Sequence, residues 1–283
     1  MNNIYHGAMV ALAFFCACLI GCAENDTSYL LPTTAGSDKS ATITFSCLPE
    51  LEAVTRASVT DESMTDVWVF DTFNGVESMV AHQVSTDENF GTVSVTLAYG
   101  THSLSFVTSR GVGADYGDGV LSWTKVRPTY GKVVSLAVDG TTKLAQSVTL
   151  TRLDAVLEVK ADDAEHVACT AEYTMGVRYY GINVADLSGA ASAANDVTSH
   201  VWATADAVDL TMYTMCPSSS EWNTTVKIRL YDNDGDIATH TKEVPLLSNR
   251  RTLLHGDMFS AANSTTLNLD TEMLTEKDVP LYE

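Results

Sequence analysis

The chain has 283 residues and sets 16 Lys and Arg against 36 Asp and Glu, a formal net charge of −20. Such an acidic surface repels nucleic acid and anionic head groups, which are bound through Lys and Arg that neutralise phosphate, so nucleic acid is excluded as a partner. About 260 residues remain once an N-terminal leader is set aside, enough for two domains of ordinary size or one large all-β domain.

The first signal lies at the N-terminus. An apolar run from Met9 to Ile20 ends in Leu19-Ile20-Gly21-Cys22, a small residue directly before a cysteine. At about a dozen residues the run is too short to cross a bilayer core of about 30 Å as a helix. It reads as a lipoprotein signal, residues 1–21, with Cys22 as the lipidated residue of the exported chain. The segment before it carries no Lys or Arg, which departs from the usual signal. Several acyl chains on Cys22, at about 0.8 kcal/mol per buried methylene, make an effectively permanent anchor. Residues 22–39 are polar and acidic, with Pro32 and Gly36, and read as a flexible tether.

Beyond the tether the sequence alternates or is rich in β-branched and aromatic residues. Strands are expected at Ala41–Cys47, Asp66–Asp71, Met79–Val84, Gly91–Leu97, His102–Thr108, Val133–Val138, Gln146–Lys160, Glu172–Tyr180, Val208–Met215, Thr224–Tyr231, Ile237–Val244 and Thr265–Asp270. Turn residues separate them at Asn74-Gly75, Tyr99-Gly100, Asp139-Gly140 and Asn233-Asp234-Gly235-Asp236. Short strands at this spacing, without βα alternation, predict β-sandwiches. Residues 111–130 read as a long Gly/Asp-rich loop, and single helical turns are expected at Ala161–His166 and Asn249–Leu254. A composition shift at Asp139–Gln146 places a boundary near residue 148, giving sandwiches at 40–148 and 149–272 and a tail at 273–283.

Cys47, Cys169 and Cys216 remain once the leader and Cys22 are set aside, and three thiols cannot pair completely. They are either all free and buried, or one disulfide and one spare thiol. The segment Asp232-Asn233-Asp234-Gly235-Asp236 holds three carboxylates, but its glycine is misplaced for a calcium loop, and the flanking runs make it a hairpin turn. The sequence contains no Gly-x-Ser-x-Gly, no His-Glu-x-x-His and no phosphate-cradling glycine loop, and its seven histidines are scattered. The expectation is a protein that is not an enzyme and uses neither metal nor cofactor.

The most specific pattern is Val244-Pro245-Leu246-Leu247-Ser248-Asn249-Arg250-Arg251-Thr252-Leu253-Leu254-His255-Gly256-Asp257-Met258-Phe259. It resembles the segment that closes the second domain in the fimbrillin superfamily of Bacteroidales. In the same order, Val67-Trp68-Val69-Phe70-Asp71 with Gly75, Tyr99-Gly100-Thr101-His102, Trp123-Thr124-Lys125 and Val148 to Val159 resemble further family segments. The resemblance spans roughly residues 40–272 and is nearest the FimB/Mfa-type anchor and accessory lipoproteins of type V fimbriae. Glu24 and Asp26, just behind Cys22, resemble the surface-export signal of Bacteroidetes lipoproteins.

The resemblance implies two tandem transthyretin-like, Greek-key β-sandwiches on a surface-exposed lipoprotein of the outer membrane. It implies assembly by strand exchange with other fimbrial subunits, the lipid holding the chain to the membrane. Polymerising members are cut after an arginine, and Arg56 within Val54-Thr55-Arg56-Ala57-Ser58 is the candidate cleavage site here. Many anchors carry a second cysteine shortly after the lipidated one, which this chain lacks, so anchor and polymerised subunit both stay open. The alternative is a glycan-binding surface lipoprotein of a nutrient-uptake system, with Trp68, Trp123, Trp202 and Trp222 as sugar platforms. No residue identifies a host or bacterial surface ligand.

Overall fold

A computed structural model describes residues 39–49, 64–163, 168–202, 209–259 and 267–274. These residues form one compact unit, contain no helix, and lie in several sheets. The first half contributes β1 (Ser40–Pro49), β2 (Asp66–Phe73), β3 (Val76–Val84), β4 (Thr92–Ala98), β5 (Gly100–Ser109), β6 (Val112–Gly117), β7 (Val120–Lys125), β8 (Thr129–Val138) and β9 (Ala145–Arg152). The second contributes β10 (Asp154–Ala161), β11 (Cys169–Asn183), β12 (Gly189–Trp202), β13 (Asp209–Met215), β14 (Trp222–Asp232), β15 (Gly235–Leu246), β16 (Arg250–Gly256) and β17 (Asn268–Met273).

Period-two patterning drives these elements. In β4, Val93, Val95 and Leu97 point inward while Thr92, Ser94 and Thr96 face water. In β14, Val226, Ile228 and Leu230 are fully buried and alternate with Thr225, Lys227 and Arg229. Turns fall where left-handed backbone is available: Asn74 and Gly75 both have positive φ between β2 and β3, as type I′ hairpins require.

Strand pairing repeats between the halves. β1 lies between antiparallel β4 and parallel β9, as β10 lies between antiparallel β13 and parallel β16. The order β3-β2-β5-β8 in the first half corresponds to β12-β11-β14-β15 in the second. The hairpin β6–β7 and the last strand β17 are additions to this seven-strand scheme. β7 leaves the first half and pairs with Gly181–Asn183 of β11, joining the halves through backbone hydrogen bonds.

Three apolar clusters fill the unit. One surrounds Phe45 and Phe106 in the first half, one surrounds Tyr173 and Met175 in the second, and one lies where the halves meet. That third cluster gathers Trp68 and Phe70 of β2, Trp123 of β7, Ile182 of β11 and Tyr213 and Met215 of β13.

Three expectations are corrected, and one strand is added. The stretch Gln146–Lys160 is not one strand: Leu153 interrupts it, so β9 completes the first half and β10 opens the second. Residues 111–130 are not a plain loop, because 112–125 form the β6–β7 hairpin. Asn249–Leu254 is strand rather than helix, since Asn249 turns the chain at φ 59° and β16 then pairs on both sides. β12, which the sequence reading did not propose, pairs along most of β11. Of the helical turn at Ala161–His166, Ala161 belongs to β10 and residues 164–166 lie outside the described residues.

Candidate functional site: the position of β1

Cys22, the tether except Lys39, and Arg56 lie outside the described residues, so the site is built from β1, the strand between them. Its alternation sends Ile43 and Phe45 fully inside, at 0% exposure, and leaves Thr42 and Thr44 facing out. Seven residues pair with β4, from Ser40 opposite Ala98 to Ser46 opposite Thr92, and six pair with β9. On the outer face Thr42 and Thr96 share a hydroxyl hydrogen bond of 2.8 Å, and so do Thr44 and Ser94. On the inner face the Phe45 ring meets Phe106 at 4.9 Å. Burying Ile43 and Phe45 contributes about 3–6 kcal/mol in total. Taking β1 away would uncover this apolar floor and leave facing edges of β4 and β9 unpaired.

The other residues singled out from sequence resolve into structural roles. Cys47, Cys169 and Cys216 are all free and buried. Burial pushes the Cys47 thiol up to about 12, so it stays neutral and unreactive. At the Asp232–Asp236 turn, Asp232 accepts hydrogen bonds from the backbone N–H groups of Asp234 and Gly235, at 2.8 and 3.1 Å. Asp236 is held by Arg229 at 2.8 Å, so the segment is a hairpin turn between β14 and β15. Trp68 and Trp123 are each only 3% exposed and meet edge to face, which removes both as sugar platforms. Trp222 is half-buried against Tyr179, and the Trp202 side chain lies outside the described residues.

Two buried polar pairs escaped the sequence reading. His102 on β5 lies 2.8 Å from Asp71 on β2 through Nδ1 and 2.8 Å from the Ala98 carbonyl through Nε2. Phe73 stacks on its ring at 4.3 Å. Both ring nitrogens are engaged within the sheet, which makes this histidine a fastener of the β4–β5 turn. The adjacent-strand placement of Asp71 and His102 was the only signal, and it is invisible until register is known.

The second pair bridges the halves. Asp154, fully buried, receives Arg152 Nε at 3.0 Å and the Thr129 backbone N–H at 2.8 Å. Burial pushes the Asp154 carboxyl up, and the Arg152 charge opposes that shift. Burial likewise works against the Arg152 charge, but Asp154 outweighs it and raises the guanidinium. The convergence of donors on one carboxylate supports an ion pair.

The profile of a family of unknown function, DUF6562, matches residues 82–281, and the chain belongs to that family. No curated protein matches the sequence. Among solved structures, the fimbrial anchor protein Mfa2 from Porphyromonas gingivalis is similar over 83% of this chain and 98% of its own, at 10% identity and a TM-score of 0.52. A candidate adhesin from Bacteroides ovatus is similar over 80% of this chain and 88% of its own, at 9% identity and a TM-score of 0.49. A candidate polysaccharide-binding protein from Bacteroides thetaiotaomicron covers 84% of this chain and all of its own, at 12% identity and a TM-score of 0.46. At these identities the likeness concerns the fold alone.

Proposed function

We propose that the protein is a surface-exposed lipoprotein of a type V fimbria, an anchor or accessory subunit that binds other fimbrial subunits by β-strand addition. In this reading Cys22 carries the lipid that holds it to the outer membrane. The chain then builds two tandem transthyretin-like sandwiches and performs no catalysis. The observation that carries the reading is the placement of β1, an N-terminal strand seated between β4 and β9 over an apolar floor. Main-chain hydrogen bonds along such a slot supply affinity, and alternate side chains select the register. The overlap with the Mfa2 fold, over 83% of this chain and 98% of that one, supports the same reading. Arg56 lies between β1 and β2, where a cut would free β1 from the rest of the chain.

Affinity purification from the native bacterium, with identification of co-purifying chains and N-terminal sequencing of this one, tests the proposal. Co-purifying fimbrial subunits are expected. Their absence refutes the fimbrial role. A lipid-blocked Cys22 assigns the anchor, and a start at Ala57 assigns a polymerised subunit.

A further inference from the structure

We infer that the free edge of β12 is a self-association surface, where residues 196–202 pair antiparallel with the same stretch of a second copy about a two-fold axis at Ser199. β12 is paired with β11 from Gly189 to Trp202, and among the described residues no strand lies on its other side. Alternate N–H and C=O groups along that side are open to a further strand. Natural proteins blunt such edges with Lys, Pro or bulges. Residues 197–202 contain no Asp, Glu, Lys, Arg or Pro. The left-handed backbone at Ala191 and Asn195, with φ of 51° and 52°, lies before this stretch, and the register with β11 is unbroken from Asp196 to Trp202.

The pattern of side chains names the occupant. Val197, Ser199 and Val201 face outward, and Thr198 and His200 between them are half-buried. Val201, at 74%, is the most exposed large apolar side chain among the described residues, and Val197 is 53% exposed. The order Val-x-Ser-x-Val reads the same in both directions about Ser199. An antiparallel copy centred there sets Val197 against Val201 of the second copy, Val201 against Val197 of the second copy, and Ser199 against its own equivalent. A two-fold contact requires a patch that is complementary to itself, and this strip is one. β-Branched side chains directly opposite one another also suit the pleated surface.

Charge favours a second copy at this place above others. Two chains of −20 repel each other over an acidic surface, but not at a strip without charge. Asp196, at the start of the strip, is held by Arg178 at 3.0 Å. Glu172, opposite Ser199 on β11, acts electrostatically on Arg229 of β14 on its other side. In the pair the two copies of Glu172 stand three strand spacings apart, about 14 Å, beyond the screening length of about 8 Å at physiological salt. A basic partner finds carboxylates elsewhere on the chain and none in residues 197–202. The contact closes at two copies and lies in a different sheet from β1, so self-association and the fimbrial role fail or succeed independently.

One strand pair is a small interface, so sedimentation of the full chain in density-matched detergent should show a dimer forming between about 1 and about 100 µM. Ser199→Lys sets like charges on the axis and should weaken association by about tenfold or more, with the melting temperature unchanged because the side chain is exposed. Ser199→Cys should give a disulfide-linked dimer under mild oxidation, since directly opposed residues hold their Cα atoms about 4.5–5.5 Å apart. Ser192→Cys, exposed on the same strand but off the axis, should not. Cys47, Cys169 and Cys216 are buried and do not compete. A monomer throughout, a dimer that survives Ser199→Lys, or cross-linking no greater through Ser199→Cys than through Ser192→Cys overturns the proposal. So does a monomer from which Ser199→Lys removes a different co-purifying chain. Slow hydrogen exchange at every amide of residues 197–201 in the dilute monomer also overturns it, because the chain itself then covers the edge.

Discussion

Asp154→Ala should unfold the protein far more readily than its single lost side chain suggests. The carboxylate is fully buried and accepts from Arg152 and Thr129, while Arg152 itself is only 7% exposed, its guanidinium over the Tyr130 ring. Removing it strands a buried guanidinium, which costs about 3–5 kcal/mol. For a unit of this size, about 2–4 °C per kcal/mol, the melting temperature should fall by about 6–20 °C. The double variant Arg152→Met, Asp154→Asn removes the charge and keeps an acceptor for Thr129, and should recover about half of the loss. Urea titration with fluorescence and circular dichroism, checked for coincident transitions, measures both. An Asp154→Ala variant within about 1 kcal/mol of the native chain would refute the ion pair as the fastening between halves.

Gly111→Ala would place its Cβ 2.3 Å from the Trp123 ring, which is packed against Trp68 and cannot swing aside. A loss of about 1–3 kcal/mol is expected in the same titration, and a neutral effect would mean that the β6–β7 hairpin is loosely seated. His255 is raised above 6.5, first by its hydrogen bond to Asp162 and then by Asp270, so it gives stability below its unfolded value that is lost as pH rises through its folded one. The urea midpoint should therefore fall more between about pH 6 and about pH 8.5 in the native chain than in His255→Gln, by a small amount since the site is partly solvated. Equal pH dependence in the two proteins would exclude the clamp. Cys22→Ala should yield an unprocessed precursor that is not retained in the outer membrane; normal retention on fractionation would remove the lipid-anchor reading.

Much of the sheet structure is legible where one face is buried and one is wet. Val93, Val95 and Leu97 in β4, or Val226, Ile228 and Leu230 in β14, announce their strands because burial on one side leaves a period of two. β12 lacks that signature. Its Gly189-Ala190-Ala191-Ser192-Ala193-Ala194 segment pairs with β11 and buries little, so backbone pairing rather than side-chain packing makes it a strand. β16 is not legible because Asn249-Arg250-Arg251-Thr252-Leu253-Leu254 carries no strict alternation, and its identity is set by β10 and β17 on either side. The correspondence of the two halves was hidden for a related reason. Pairing order can be preserved by any residues that respect inside and outside. At the candidate site, Cys22 and Arg56 are visible only as local motifs, whereas the seat of β1 between β4 and β9 is set by pairings between strands far apart in the chain.

The matching positions of β1 and β10 have a consequence for how many partners a chain can accept. β10 is held at both ends by the polypeptide itself, entered directly from β9 through Leu153 and locked there by Asp154. β1 is joined to the other strands of the fold through the segment that contains Arg56. A single cut can therefore vacate one of the two equivalent slots and never the other. If subunits join through a vacated slot, each molecule has a valence of one acceptor, and growth is confined to an unbranched line.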